Sequence, residues 1–138
     1  MSDTERLAAE LSVRNVIARL AHLADHGDVE EYVTLFTDDA VWDHPVLGAR
    51  TGRDDILAGA RERRAGVDPA VGSPYRHVIT TQWVRVDDDE HAFSQAYWMV
   101  VHATRPGAVA ITGRYDDDLR RTPDGWKMAR RTIFEDPA

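Results

Sequence analysis

The sequence predicts an α+β fold in which three N-terminal helices and a curved antiparallel sheet enclose a pocket. Two observations carry this. Up to about residue 65 the apolar residues recur at helical spacing. From about residue 75 onward the segments are rich in Val, Ile, Thr, Tyr and Trp and are divided by turn signals. Helices first and strands after them place the helices on one face of a sheet.

The elements follow in order. Asp3 or Thr4 can cap a first helix running from about Glu5 to Asp25, with a stripe of Val13, Val16, Ile17, Leu20 and Ala24. Gly27 suits the left-handed residue that ends it. Asp28 can cap a shorter helix holding Tyr32, Leu35 and Phe36, and Ala40-Val41-Trp42 reads as a short strand. Gly48 and Gly52 punctuate a loop. Thr51 and Asp54 resemble a capping box for a third helix over about 53–65. The stretch 66–74 carries Gly, Pro and Ser and reads as a loop. Turns at Asp87-Asp88-Asp89, Arg105-Pro106-Gly107 and Thr122-Pro123-Asp124-Gly125 then separate strands over about 75–86, 91–104, 109–121 and 125–135. Strands this long twist and coil, so a helix across their concave side leaves a cone open at one end.

Composition removes several classes. The 138 residues fit one domain, 1–138. A net charge of −7 disfavours nucleic acid and anionic membrane as partners. The absence of cysteine excludes disulfides, thiol nucleophiles and zinc–thiolate sites. No signal peptide or apolar membrane span is seen, so a cytoplasmic location is expected. Neither a dinucleotide fingerprint, a P-loop nor a nucleophile elbow is present. No compact metal-ligand motif is found, and neither metal nor cofactor is expected.

Two residues stand out for chemistry. Asp25 lies on a helical line with Leu11, Arg14, Ala18 and Ala21, beside the apolar stripe. Small neighbours leave room for a general base or acid, although from spacing alone a solvated helix end or a turn cap is the favoured reading. His77 shares a strand face with Tyr75, Ile79 and Thr81. It can pair with Asp25 as an acid–base dyad or serve as a structural histidine bound to backbone. Of Asp43 and His44, at most one faces the cavity. His22 and His26 point toward solvent. Tyr97 and Tyr115 can orient a carbonyl or meet a developing oxyanion, or simply pack. The cluster Asp116-Asp117-Asp118 beside Arg120-Arg121 reads as a cross-strand charge ladder.

The ordered set Leu20–Asp28, Leu35–Trp42, Gly52-Arg53-Asp54-Asp55-Ile56, Tyr75–Thr81, Gly113–Asp117 and Asp124-Gly125-Trp126-Lys127 with Arg130-Arg131 resembles the SnoaL-like branch of the NTF2-like superfamily. That group includes polyketide cyclases, scytalone dehydratase and ketosteroid isomerase. The resemblance implies the cone-shaped α+β fold and puts Asp25 and His77 in the pocket as catalytic residues. It puts Tyr97 and Tyr115 near pocket-lining positions, and Trp42 and His44 are expected beside the substrate with them. Position 97 holds Tyr where the dehydratase has His, position 115 holds Tyr where it has Asn, and Ala24 stands in place of a tyrosine. These departures argue against scytalone itself as the substrate.

The expected function is a cofactor-free acid–base enzyme acting on a small hydrophobic cyclic or polyketide-like compound, as a dehydratase, isomerase or cyclase. The alternatives are a non-catalytic small-molecule-binding protein and the small subunit of an oxygenase. The expected partners are a small hydrophobic ligand and a second copy of the chain.

Overall fold

A computed structural model describes residues 1–68 and 70–138. The element order is α1 (Asp3–Asp25), α2 (Val29–Thr34), β1 (Phe36–His44), β2 (Gly48–Thr51), α3 (Arg53–Arg64), β3 (Tyr75–Val86), β4 (His91–His102), β5 (Val109–Thr122) and β6 (Gly125–Glu135). The loop expected over 66–74 includes Pro69, which lies outside the described residues. The six strands form one sheet in the order β2-β1-β6-β5-β4-β3. Every pairing is antiparallel except β1 with β6.

Several local expectations are corrected. Ser2, not Asp3 or Thr4, caps α1, and it shares a capping box with Glu5. Its hydroxyl accepts from the Glu5 N–H while the Glu5 carboxylate accepts from the Ser2 N–H. The capping box expected at Thr51 does not form. Gly52 is the N-cap of α3, and the Thr51 N–H instead donates to Asp55 Oδ2 at 2.9 Å. Phe36 is the first residue of β1 and not part of the second helix. β2 replaces the expected loop because its four residues pair with the end of β1, Val41 opposite Thr51 and His44 opposite Gly48. Its side chains are mostly exposed, so no apolar alternation marks it.

α1 crosses the concave face of the sheet. Near its start the Arg6 side chain donates to the Val86 carbonyl at the end of β3, and its last residue reaches His77 at the beginning of β3. Val13, Ile17 and Leu20 on α1 pack into a core with Phe36, Ile56, Leu119 and Met128, all nearly solvent-free. Burying a side chain of this size contributes about 1.5–3 kcal/mol.

The sheet admits one indole by omitting one side chain. Trp98 on β4 lies opposite Gly113 on β5. A Cβ at Gly113 would stand 2.4 Å from Trp98 Cζ2 and 2.0 Å from the Phe134 carbonyl oxygen. Backbone cannot give way as a flexible side chain can. Gly113→Ala is therefore expected to cost about 1–3 kcal/mol in urea unfolding and to shift tryptophan emission. A variant as stable as wild type would show that the Trp98–Gly113 fit is not needed.

Candidate functional site

Toward the C-terminal end of α1 the core gives way to a cavity of about 340 Å³. This lies at the lower end of the range for small-molecule pockets. Leu20, Ala21, Leu23 and Ala24 of α1 form one wall, and Ala60, Arg63 and Arg64 of α3 another. The sheet supplies His77, Val100 and Ile111 from one cross-strand rung, together with Trp98, Tyr115 and Ile133.

Asp25 and His77 meet at the cavity wall. Asp25 Oδ1 is 2.6 Å from His77 Nδ1, and the carboxylate also accepts the His77 backbone N–H at 3.1 and 3.0 Å. Asp25 is 4% exposed, whereas the His77 side chain keeps 30% of its surface. A carboxylate on Nδ1 fixes that nitrogen as the donor and leaves Nε2 with a free lone pair. No hydrogen bond occupies Nε2 among the described residues, and the ring lines the cavity.

The four residues placed beside the substrate divide. Trp42, His44 and Tyr115 line the cavity. Tyr97 does not: it is 56% exposed on the opposite face of the sheet. Strand alternation gives the cavity side of β4 to Trp98 and Val100, so an odd-numbered neighbour must point outward.

His44 is held at both nitrogens. Nδ1 accepts from the Val46 and Leu47 N–H groups at 3.1 and 3.0 Å, and Nε2 faces Glu135 Oε1 at 3.2 Å. Its ring stacks on Trp42 with centroids 5.2 Å apart. Burial lowers the His44 pKa, with Arg63 adding to the effect and Glu135 opposing it. His44 is thus a neutral, fixed wall, and Asp43 turns away to pair with Arg130. His22 and His26 are exposed.

One buried ion pair was not visible in the charge ladder. Asp117 is 1% exposed and binds Arg131 through two parallel hydrogen bonds of 2.9 Å. The guanidinium lies 3.8 Å from the centroid of the Tyr115 ring, which in turn stacks on Trp98. Burial pushes the Asp117 carboxyl upward against the pull of Arg131. For Arg131, burial acts downward but the Asp117 charge outweighs it, so the net shift is upward. Tyr115 is pushed up to about 12, chiefly by burial, and stays a neutral O–H donor. The placing of Asp117 between Tyr115 and Leu119 at period two was the available signal, since both flanking positions are buried. Glu135, Trp98, Tyr32 and Arg63 also line the site and were not singled out from sequence. Among the described residues no three His, Cys, Asp or Glu side chains are grouped to hold a metal ion.

Comparison with known proteins places this arrangement. The profile of the SnoaL-like domain matches residues 5–132. The chain belongs to the SnoaL-like family. Among solved structures, this SnoaL-like chain is similar to an NTF2-like protein with a cystatin-like fold from Novosphingobium aromaticivorans, with 25% identity, a TM-score of 0.79, and coverage of 92% of this chain and 81% of that one. A candidate scytalone dehydratase from the same organism has a TM-score of 0.83 at 17% identity, covering 99% and 89% of the two chains, a likeness of fold. A protein from Catenulispora acidiphila, solved in complex with S-DNPA, is 29% identical with a TM-score of 0.75, covering 94% of each chain.

Two consequences can be measured. Removing one partner of a buried ion pair leaves a stranded charge, so Asp117→Ala is expected to cost about 3–5 kcal/mol. The double variant Asp117→Leu/Arg131→Met should recover most of that loss in urea unfolding, and a double variant as unstable as the single one would contradict this account. The second concerns pH. Folding lowers the His44 pKa, so the unfolded chain binds this proton more readily. The stability it contributes is complete above the ordinary value of 6.5 and is lost as pH falls from there through the folded pKa. His44→Asn keeps an acceptor for the two backbone N–H groups. It should lose less stability than wild type between about pH 7.5 and 5.5, and an equal loss would assign the pH dependence elsewhere.

Proposed function

We propose that this protein is an acid–base enzyme acting on a small, largely apolar cyclic or polyketide-like carbonyl compound. The observation that carries the reading is the Asp25–His77 contact of 2.6 Å on the wall of a cavity. With Nδ1–H held by Asp25, His77 Nε2 takes a proton from the carbon next to a carbonyl group. The C–H electron pair moves into the carbonyl, and the oxygen becomes an enolate. Tyr115 donates its O–H to that oxygen. The proton on Nε2 then returns either to a leaving hydroxyl, giving dehydration, or to another carbon, giving isomerisation. Asp25 touches no substrate. It positions His77 and stabilises the imidazolium that forms.

The neighbouring structures support a ligand-holding pocket, since one of them is solved with S-DNPA and another is a candidate scytalone dehydratase. The rival is the same pocket without turnover. Deuterium exchange into 2-tetralone in D₂O, followed by proton NMR, separates the two. Wild type should exchange the carbon-bound protons next to the carbonyl faster than buffer. His77→Ala should lower the enzymatic rate by about 10²–10⁴-fold and Tyr115→Phe by about 10²–10³-fold. Wild type no faster than buffer, or full rate in His77→Ala, would overturn the mechanism.

A homodimer is part of the proposal. The outward face of the sheet exposes Trp83, Tyr97 and Phe134, a set of aromatic side chains suited to cover by a second copy. Light scattering should give twice the chain mass at micromolar concentration, and a monomer would contradict this.

A further inference from the structure

Among the described residues, the cavity holds one arginine that no carboxylate or backbone carbonyl answers. Most arginines of this chain end on a carboxylate or a backbone carbonyl: Arg64 donates to the Leu23 and Gly27 carbonyls, Arg131 to Asp117 and Arg50 to Asp55 and Glu62. Arg63, Arg105 and Arg121 make no such bond among the described residues, and of these three only Arg63 lines the cavity. It is exposed at the mouth, in the last turn of α3.

Its position is built from several sides. The guanidinium carbon lies 4.3 Å from the centroid of the Trp42 ring, and the group neighbours the Tyr32 hydroxyl. Behind it sits Gly59, buried inside α3, where a Cβ would stand 3.2 Å from both Arg63 Nη1 and Arg50 Nε. Glycine in a helix interior is destabilising relative to alanine. Here it leaves space in which the guanidinium folds back against the helix. Stacking on Trp42 and the negative end of α3 account for the group being held there. The Tyr32 hydroxyl offers one neutral acceptor, and no carboxylate meets the remaining N–H donors.

The other charged groups around the cavity are already committed. Asp117 neutralises Arg131, and the Glu135 carboxylate, which keeps its charge, is held by hydrogen bonding to the neutral His44 ring. The walls carry two flat aromatic pairs, Trp42 on His44 and Trp98 on Tyr115, with interplanar angles of 21° and 23°. The geometry points to a planar aromatic carboxylate as the ligand of this cavity, with its ring body against these walls and its carboxylate on Arg63 at the mouth. This names the substrate class for the pocket proposed above and rests on that reading, but binding does not require turnover. A guanidinium presents paired donors that match a carboxylate, and a charged hydrogen bond discriminates strongly against a neutral isostere.

The test compares 2-naphthoate with 2-naphthamide by titration calorimetry on the full chain. Wild type should bind the acid at least about ten-fold tighter than the amide. Arg63→Gln should abolish that preference by weakening the acid far more than the amide, while Arg63→Lys, which keeps the charge, should retain part of it. His77→Ala should keep the preference intact, which separates this inference from the catalytic one. Equal affinity for the two compounds in wild type, failure of both to bind, or a preference that survives Arg63→Gln would overturn it.

Discussion

One buried carboxylate ties the cone together. Asp25 ends α1, and it receives both the backbone N–H and the ring Nδ1 of His77, 52 residues away in sequence. A carboxylate removed from water is costly unless its oxygens are satisfied, and here the start of β3 satisfies them. The same bonds fix where α1 stops over the sheet and which way the imidazole turns. Fold and site are therefore coupled at one side chain. A chain that closes its cone correctly has, by the same act, set Nε2 facing the cavity.

The rest of the pocket follows from how the sheet spends its polar groups. The rung Asp117–Arg131–Trp42 crosses β5, β6 and β1. It buries an ion pair directly beneath an aromatic layer, and Arg131 stacked on Tyr115 holds that phenol in place. The chain as a whole is acidic, with a net charge of −7. Its cavity is lined by three arginines and one glutamate. Asp25, Asp117 and Glu135 offset these arginines, so the charge of the site does not follow the global balance.

Much of this was legible in the sequence, for identifiable reasons. β3 and β6 begin and end where expected, because turn residues punctuate them and because β-branched and aromatic residues fill them. Asp25 was conspicuous through Ala18 and Ala21, since a carboxylate beside small residues on the flank of an apolar stripe has somewhere to point. Other features depend on pairing, which no single strand records. Alternation separated Tyr97 from Trp98 but could not say which face was concave. The helices packed over the Trp98 side decide that. β2 is polar and only four residues long, so it exists through its partner β1. Asp117 and Arg131 became an ion pair only when β5 and β6 were brought into register. Arg63 carried no signal at all in a helix face crowded with charges.

The central claim is that Asp25 holds His77 with its proton on Nδ1 and Nε2 free. The most direct measurement is long-range ¹H–¹⁵N correlation NMR of the imidazole nitrogens, in wild type and in Asp25→Asn. The account predicts one fixed tautomer for the neutral ring in wild type, with Nδ1 protonated and Nε2 showing the shift of a bare nitrogen. It predicts loss of that preference in Asp25→Asn. A proton resident on Nε2 in wild type, or the same tautomer balance in both proteins, would contradict it.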